Sequence, residues 1–263
     1  MRGGFLFCTV RVVEKKRGIL SFLKYYLKKP EPILNRIDIE SGKYFYYLEI
    51  DRRLCSENFS EIYRLLGRIS ENIIPCNNFN IFSSGLLKRF DSTPYKDILL
   101  LNSSSEYIKN DIFSKNKSLL IYDLDGRTSL YCDEFVPIVK RITVATSCPF
   151  RYENIRNRLF EEYGASLVII DRLPNIKSFD YAIFVSHYTN AFPFNSFAVK
   201  NNGENCFEVY KGSGVSPDKR YIDLCPQGAD LNDFTAALYL LCKIKELGKE
   251  KYTDFNIVSE IRF

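Results

Sequence analysis

Two hydroxyls, a thiol and a guanidinium fall within six residues at Thr146-Ser147-Cys148-Pro149-Phe150-Arg151. The apolar run Ile142 to Ala145 precedes them and a helical pattern follows, which puts them at a strand-to-helix turn. A helix N-terminus there offers free N–H groups and positive dipole to an anion, and Thr146, Ser147 and Arg151 are placed to hold phosphate or carboxylate. The plainer use of the same residues is structural, with Thr146 or Ser147 capping the helix and Pro149 filling its first turn. Asp171 ends the next apolar run. His187, the single histidine of the chain, lies just past the run Tyr181 to Ser186, where it could act as acid or base or bind an anion.

Cys148 also stands at a helix N-terminus, where a thiol can become nucleophilic. Phosphatases of the cysteine type carry an arginine six positions after such a cysteine. Here that position is Asn154, between Arg151 and Arg156, so the pattern is not met.

The string Asp123-Leu124-Asp125-Gly126 follows the apolar residues Leu119 to Tyr122. Together with Thr146 it resembles the first two motifs of the haloacid dehalogenase phosphatases. That resemblance implies a magnesium-dependent enzyme with Asp123 as phosphoryl acceptor, Asp125 as general acid/base and Thr146 on the phosphoryl group. Arg127 intervenes before Thr128, and no later pair of acids for magnesium appears. The simpler reading makes Asp125-Gly126 the turn of a β-hairpin between Leu119 to Leu124 and Thr128 to Cys132.

These residues need elements to position them. Residues 140 to 171 read as strand, turn, amphipathic helix and strand, a βαβ unit that implies a parallel sheet. With Tyr181 to Val185 as a third apolar strand, the stretch of about 140 to 187 resembles a Rossmann-type domain. In such a domain Asp171 would stand where an acid holds a ribose hydroxyl. The turn at 146 to 151 contains no glycine, so the fingerprint of a dinucleotide site is missing.

Earlier in the chain, Phe5 to Val13 reads as a strand and Lys15 to Lys29 as a basic amphipathic helix stopped by Pro30. A hairpin is expected around Ser41-Gly42-Lys43 between Asn35 and Asp51, and a helix over Glu57 to Ile74. Asp97 to Asn102 is a short apolar run that could be a strand, followed by a polar stretch at 103 to 117 able to hold one helix. Residues 195 to 226 suggest a hairpin or edge strands with a mobile loop, including β-prone pieces at Phe207 to Tyr210 and Tyr221 to Leu224. A capped helix over 231 to 247 is expected to cover the parallel sheet.

The fold class is therefore α/β: a Rossmann-like parallel-sheet module at 117 to 263, preceded by a smaller α+β portion at 1 to 116 with an antiparallel hairpin. A hydrophobic content of 46% and a net charge of +5 fit a soluble globular chain without a nucleic-acid signature. Eight scattered cysteines without a CxxC pair suit a reduced, cytoplasmic protein and give no zinc clamp. No run approaches the length of a transmembrane helix. The function expected from these features is binding of a small anionic or nucleotide-like ligand, or a regulatory role, at Thr146, Ser147, Arg151, Asp171 and His187. No cofactor or protein partner is named by the sequence. The alternatives are a divergent phosphatase using Asp123 and Asp125, and a protein-interaction scaffold with an aromatic-rich surface.

Overall fold

The computed structural model describes residues 6–13, 31–40, 42–52, 54, 59–77, 82, 85–172, 174–201 and 206–263. The basic helix expected at 15 to 29 lies outside them. The chain divides into two compact units, one of residues 1–92 with 217–248 and one of 93–216 with 249–263. That division does not fall at 116/117: residues 93–116 group with the second unit, and 217–248 with the first.

The first unit holds a four-stranded sheet in the order β2-β3-β1-β4, made by β1 (Cys8–Val13), β2 (Ile33–Asp38), β3 (Tyr44–Asp51) and β4 (Ile73–Pro75). The expected hairpin is present, with β2 antiparallel to β3 from Ile33↔Glu49 to Asp38↔Tyr44. β1 runs parallel to both β3 and β4. Alternation gives the sheet two apolar faces. On one, Val10, Val12, Leu48 and Ile50 pack with Ile62 and Leu66 of α1 (Phe59–Leu66). The expected helix at 57 to 74 thus ends early, giving way to a 3₁₀ turn at Gly67–Glu71 and then to β4.

On the other face Phe7 stacks on Phe45 at 5.0 Å, and Phe234 meets both rings edge-on at 5.8 and 5.2 Å. Phe234 belongs to α5 (Leu231–Leu240), which is capped by the Asp230 side chain accepting from the Asp233 amide. This corrects two expectations. The helix ends at Leu240 rather than 247, because Lys243 turns left-handed with φ 58°, and it covers the mixed sheet of the first unit, not the parallel one. Tyr221 to Leu224 is likewise no strand: α4 (Lys219–Ile222), capped by Asp218, ends within it.

The second unit holds a seven-stranded sheet, β11-β10-β9-β8-β5-β6-β7. The strands β5 (Ser118–Tyr122), β6 (Arg141–Ala145), β7 (Leu167–Ile170) and β8 (Tyr181–Phe184) are parallel. β9 (Ser196–Lys200), β10 (Cys206–Ser213) and β11 (Asp254–Arg262) continue the sheet in antiparallel fashion. The βαβ unit is present, with α3 (Phe150–Tyr163) joining β6 to β7 and ending at left-handed Gly164. β11 was not anticipated. Residues 256–260 are exposed in succession, so no polar–apolar alternation marks the strand. A β-bulge leaves Val258 unpaired between Ile257↔Tyr210 and Ser259↔Val209.

The hairpin expected at 118 to 132 does not form. β5 has β6 on one side and β8 on the other, which leaves no edge for a returning arm, and residues Ser129–Phe135 coil into a 3₁₀ turn. The apolar run Asp97 to Asn102 is no strand either. It lies within α2 (Thr93–Asn110), whose buried side chains include Leu99, Leu100 and Leu101 together with Ser103, Ser104 and Ser105.

The parallel strands order the site. The chain steps outward from β5 to β6 to β7 and then jumps back to β8, so the strand order reverses between β5 and β8. Right-handed crossovers place the outward connections on one face and the return connection on the other. Accordingly α2, α3 and Phe135 pack on the Leu119, Ile121, Ile142 and Val144 side. The short return, with its 3₁₀ turn at Ile176–Ser178, joins Phe192 over Leu120, Tyr122, Ala145 and Phe184.

Candidate functional site at the carboxyl edge of the parallel strands

Ligands in open α/β sheets bind beyond the carboxyl ends of the strands, at the point where strand order reverses. Here that point lies between the loops after β5 and β8, and Arg127 occupies it. Its Nε lies 3.0 Å from Asp97 Oδ2 and its Nη1 3.3 Å from Asp125 Oδ2. Nη2 donates to the Val185 carbonyl at 2.7 Å, and the guanidinium rests 5.7 Å from the Phe194 ring centroid. The Leu124 amide donates to Ser186 Oγ at 3.0 Å, lacing the same two loops together. The crevice is thus filled by the protein's own side chain. Its nearest signal in the sequence was the Asp125-Gly126-Arg127 string, which the hairpin reading absorbed as a turn.

Beside it, the loop after β5 and the turn after β6 form one rim. Asp123 donates its amide to Ala145 O, and the Ser147 amide donates to Leu124 O. Thr146 is buried, its hydroxyl donating to Leu124 O at 3.3 Å and accepting from the Cys148 amide at 3.0 Å. Thr146 therefore builds the rim and presents no hydroxyl to solvent. Two amides in the first turn of α3 are also committed, Arg151 to Cys148 O and Tyr152 to Pro149 O, which reduces what the helix terminus offers to an anion.

What the rim does expose is Ser147 and Arg151. Gly126, with φ +66°, lies under the arginine stem: a Cβ there would come 2.7 Å from Arg151 Cδ and 3.3 Å from Cys148 Cβ. That packing fixes the stem while the guanidinium, 5.9 Å from the Phe150 ring centroid, reaches solvent. Among the described residues Arg151 has no acidic partner within ion-pair distance.

The two aspartates of the phosphatase motif part company. The topology it needs is present, since Asp123 and Thr146 end adjacent parallel strands. Yet Asp123 is fully buried. Its Oδ2 accepts from the Thr128 amide at 2.7 Å, the Thr128 hydroxyl at 2.8 Å and the Tyr152 hydroxyl at 2.7 Å. Burial, reinforced by the Asp123 charge, raises the Tyr152 phenol far above its ordinary range, so Tyr152 stays a donor. Asp125 is exposed and faces Arg127. Among the described residues no group of three acids, cysteines or histidine is arranged to hold a metal ion.

The remaining expected residues spread along the edge. Asp171 follows β7 and adjoins Thr146, whose amide donates to Ile170 O. His187 follows β8. With β6 and β5 between β7 and β8, three strand spacings separate His187 from Asp171, about 14 Å. Thr146, Ser147 and Arg151 share one turn; His187 lies across the Arg127 plug from them. A groove of about 280 Å³ at Arg156, Phe160 and Glu161 opens beside Ser166 and Leu167, at the opposite, amino end of β7.

No family model matches the chain, and no curated protein matches it. Among solved structures, the crystal structure of L-tryptophan dehydrogenase from Nostoc punctiforme aligns over 68% of this chain at 11% identity and a TM-score of 0.26. The chain spans about half of that protein, 54% of its length.

Proposed function

We propose that the protein binds a small anionic ligand, a phosphate or carboxylate group, on the rim formed by Ser147 and Arg151. The observation that supports this reading is the Arg151 guanidinium, fixed at its stem by Gly126 and left without an acidic partner among the described residues. A planar fork of donors in that state suits a phosphate or carboxylate, and the Ser147 hydroxyl adds a further donor. The ligand is shallowly bound, not threaded into the strand-reversal crevice, because Arg127 fills it. A dinucleotide lying across the sheet is therefore a poorer fit than a single phosphate or carboxylate group. Catalysis by Asp123 is not part of the proposal, since a phosphoryl acceptor must reach its substrate and Asp123 has no exposed surface.

The test is a thermal-shift and calorimetric titration with inorganic phosphate and nucleoside monophosphates. Binding to the native chain is expected to weaken about tenfold or more in Arg151→Ala, the loss of a charge-assisted hydrogen bond. His187→Ala is expected to bind as the native chain does. Absence of any shift with the native chain, or an undiminished shift in Arg151→Ala, would overturn the proposal.

A further inference from the structure

The loop from α2 to β5 sends two large apolar side chains into water: Ile112 is 86% exposed and Phe113 59%. Single exposed apolar residues are ordinary, but this pair sits on a fixed turn. The Phe113 amide donates to Asp111 Oδ1 at 2.9 Å. Asp111 Oδ2 accepts from Lys117 Nζ at 2.7 Å and from the Tyr181 hydroxyl. The chain then closes through Ser114 N to Asp111 O, Asn116 N to Phe113 O and Lys117 N to Ser114 O. Asp111 thus ties the turn to the first residue of β8, and the tip is held outward.

Exposed cations lie beside it. Lys109 and Lys115 flank the tip in sequence, and Lys140 and Arg141 lie on the same amino edge of the sheet, where the Lys140 amide donates to Lys117 O at 2.9 Å. All four side chains are exposed. Glu134 lies within the field of Lys109, yet among the described residues none of the four cations has an acid within ion-pair distance.

We infer that this tip docks the protein peripherally on an anionic lipid bilayer, with Ile112 and Phe113 entering the headgroup–acyl boundary and Lys109, Lys115, Lys140 and Arg141 meeting the headgroups. Exposed apolar side chains flanked by lysine and arginine are the combination that such surfaces select. A bilayer accepts two protruding side chains without a matching pocket, whereas a protein partner would need a broad complementary face. Docked this way, the amino edge faces the lipid and the Ser147–Arg151 rim, at the other end of the same strands, stays open to solvent.

The experiment is co-sedimentation of the full chain with vesicles of phosphatidylcholine alone and of phosphatidylcholine mixed with phosphatidylglycerol, at about 0.1 M salt. Sedimentation is expected with the anionic vesicles only. The variant Ile112→Ser/Phe113→Ser and the variant Lys109→Glu/Lys115→Glu/Lys140→Glu should each lower the bound fraction about tenfold, with thermal melts like those of the native chain. Failure of the native chain to sediment with anionic vesicles, equal sedimentation with neutral ones, or undiminished binding by the Ser/Ser variant would overturn the inference.

Discussion

Arg127 Nε sits 3.0 Å from Oδ2 of Asp97, a carboxylate whose side chain is only 3% exposed. The pair joins the loop after β5 to α2 at the place where a parallel sheet of this order would receive a ligand. The proposed anion site accordingly lies to one side, on the rim between β5 and β6, and the pair itself is an ionic cross-link with a buried carboxylate.

Removing Arg127 takes a cation from beside a buried carboxylate. Arg127→Ala should lower unfolding stability by about 1 to 3 kcal/mol, the effect of withdrawing an adjacent cation from a buried carboxylate. Urea denaturation checks this, and the double variant Arg127→Ala/Asp97→Ala should lose less than the sum of the single losses.

Gly126→Ala tests the support beneath Arg151. The new methyl meets the arginine stem in a left-handed backbone, so about 1 to 2 kcal/mol of stability should be lost, and affinity for phosphate should fall with it. Calorimetry beside urea denaturation separates the two effects.

Gly228→Ala should be far more disruptive. At φ +88° its Cβ would lie 2.0 Å from the carbonyl oxygen of Cys76, and a backbone atom cannot swing aside as an arginine stem can. A loss of about 3 kcal/mol or failure to accumulate folded protein is expected, read by melting temperature or soluble yield.

Acid stability should report Asp111. Burial raises its carboxyl, but the bonds from Lys117, Tyr181 and the Phe113 amide outweigh that and leave it below the usual value. A carboxyl depressed in the folded state contributes stability above its unfolded pKa of about 3.9 and loses it as pH falls through the folded value. In Asp111→Asn the decline of stability below about pH 4 should therefore be shallower than in the native chain, as measured by urea denaturation across that range.

Thiol labelling should be slow and steeply pH-dependent. Burial pushes Cys76, Cys225 and Cys242 up to about 11 each, so at pH 8 about one in a thousand of these thiols is ionised. Labelling of these positions, followed by mass spectrometry, should accelerate about tenfold per pH unit toward that value while the fold persists.

The sequence made the βαβ unit and the first hairpin legible because both carry local signals: alternation, a helical period, and a turn at Ser41-Gly42-Lys43. Strand order was not legible. Nothing within Ser118 to Leu124 says that β8 returns to its far side, so Asp125-Gly126 reads as a hairpin turn. The first half of α2 escaped for a related reason, since a stretch buried through Leu99 to Leu101 lacks the polar face that periodicity detects, while the second half falls within the stretch at 103 to 117 that was read as able to hold a helix. Of the proposed site, Ser147 and Arg151 are legible as a polar turn. Arg127 was not, because its role depends on Asp97 and Val185, which only the fold brings near.

The unpaired Val258 of β11 bears on behaviour in concentrated solution. An outer strand of nine residues with Ile257 and Val258 facing water is a template on which a second chain could add strand after strand into a fibril. The bulge interrupts the regular spacing of its free amides and carbonyls at mid-length, and Asp254, Glu260 and Arg262 distribute charge along the remainder. One surplus residue thus breaks the regular pairing register along the outer edge of the sheet.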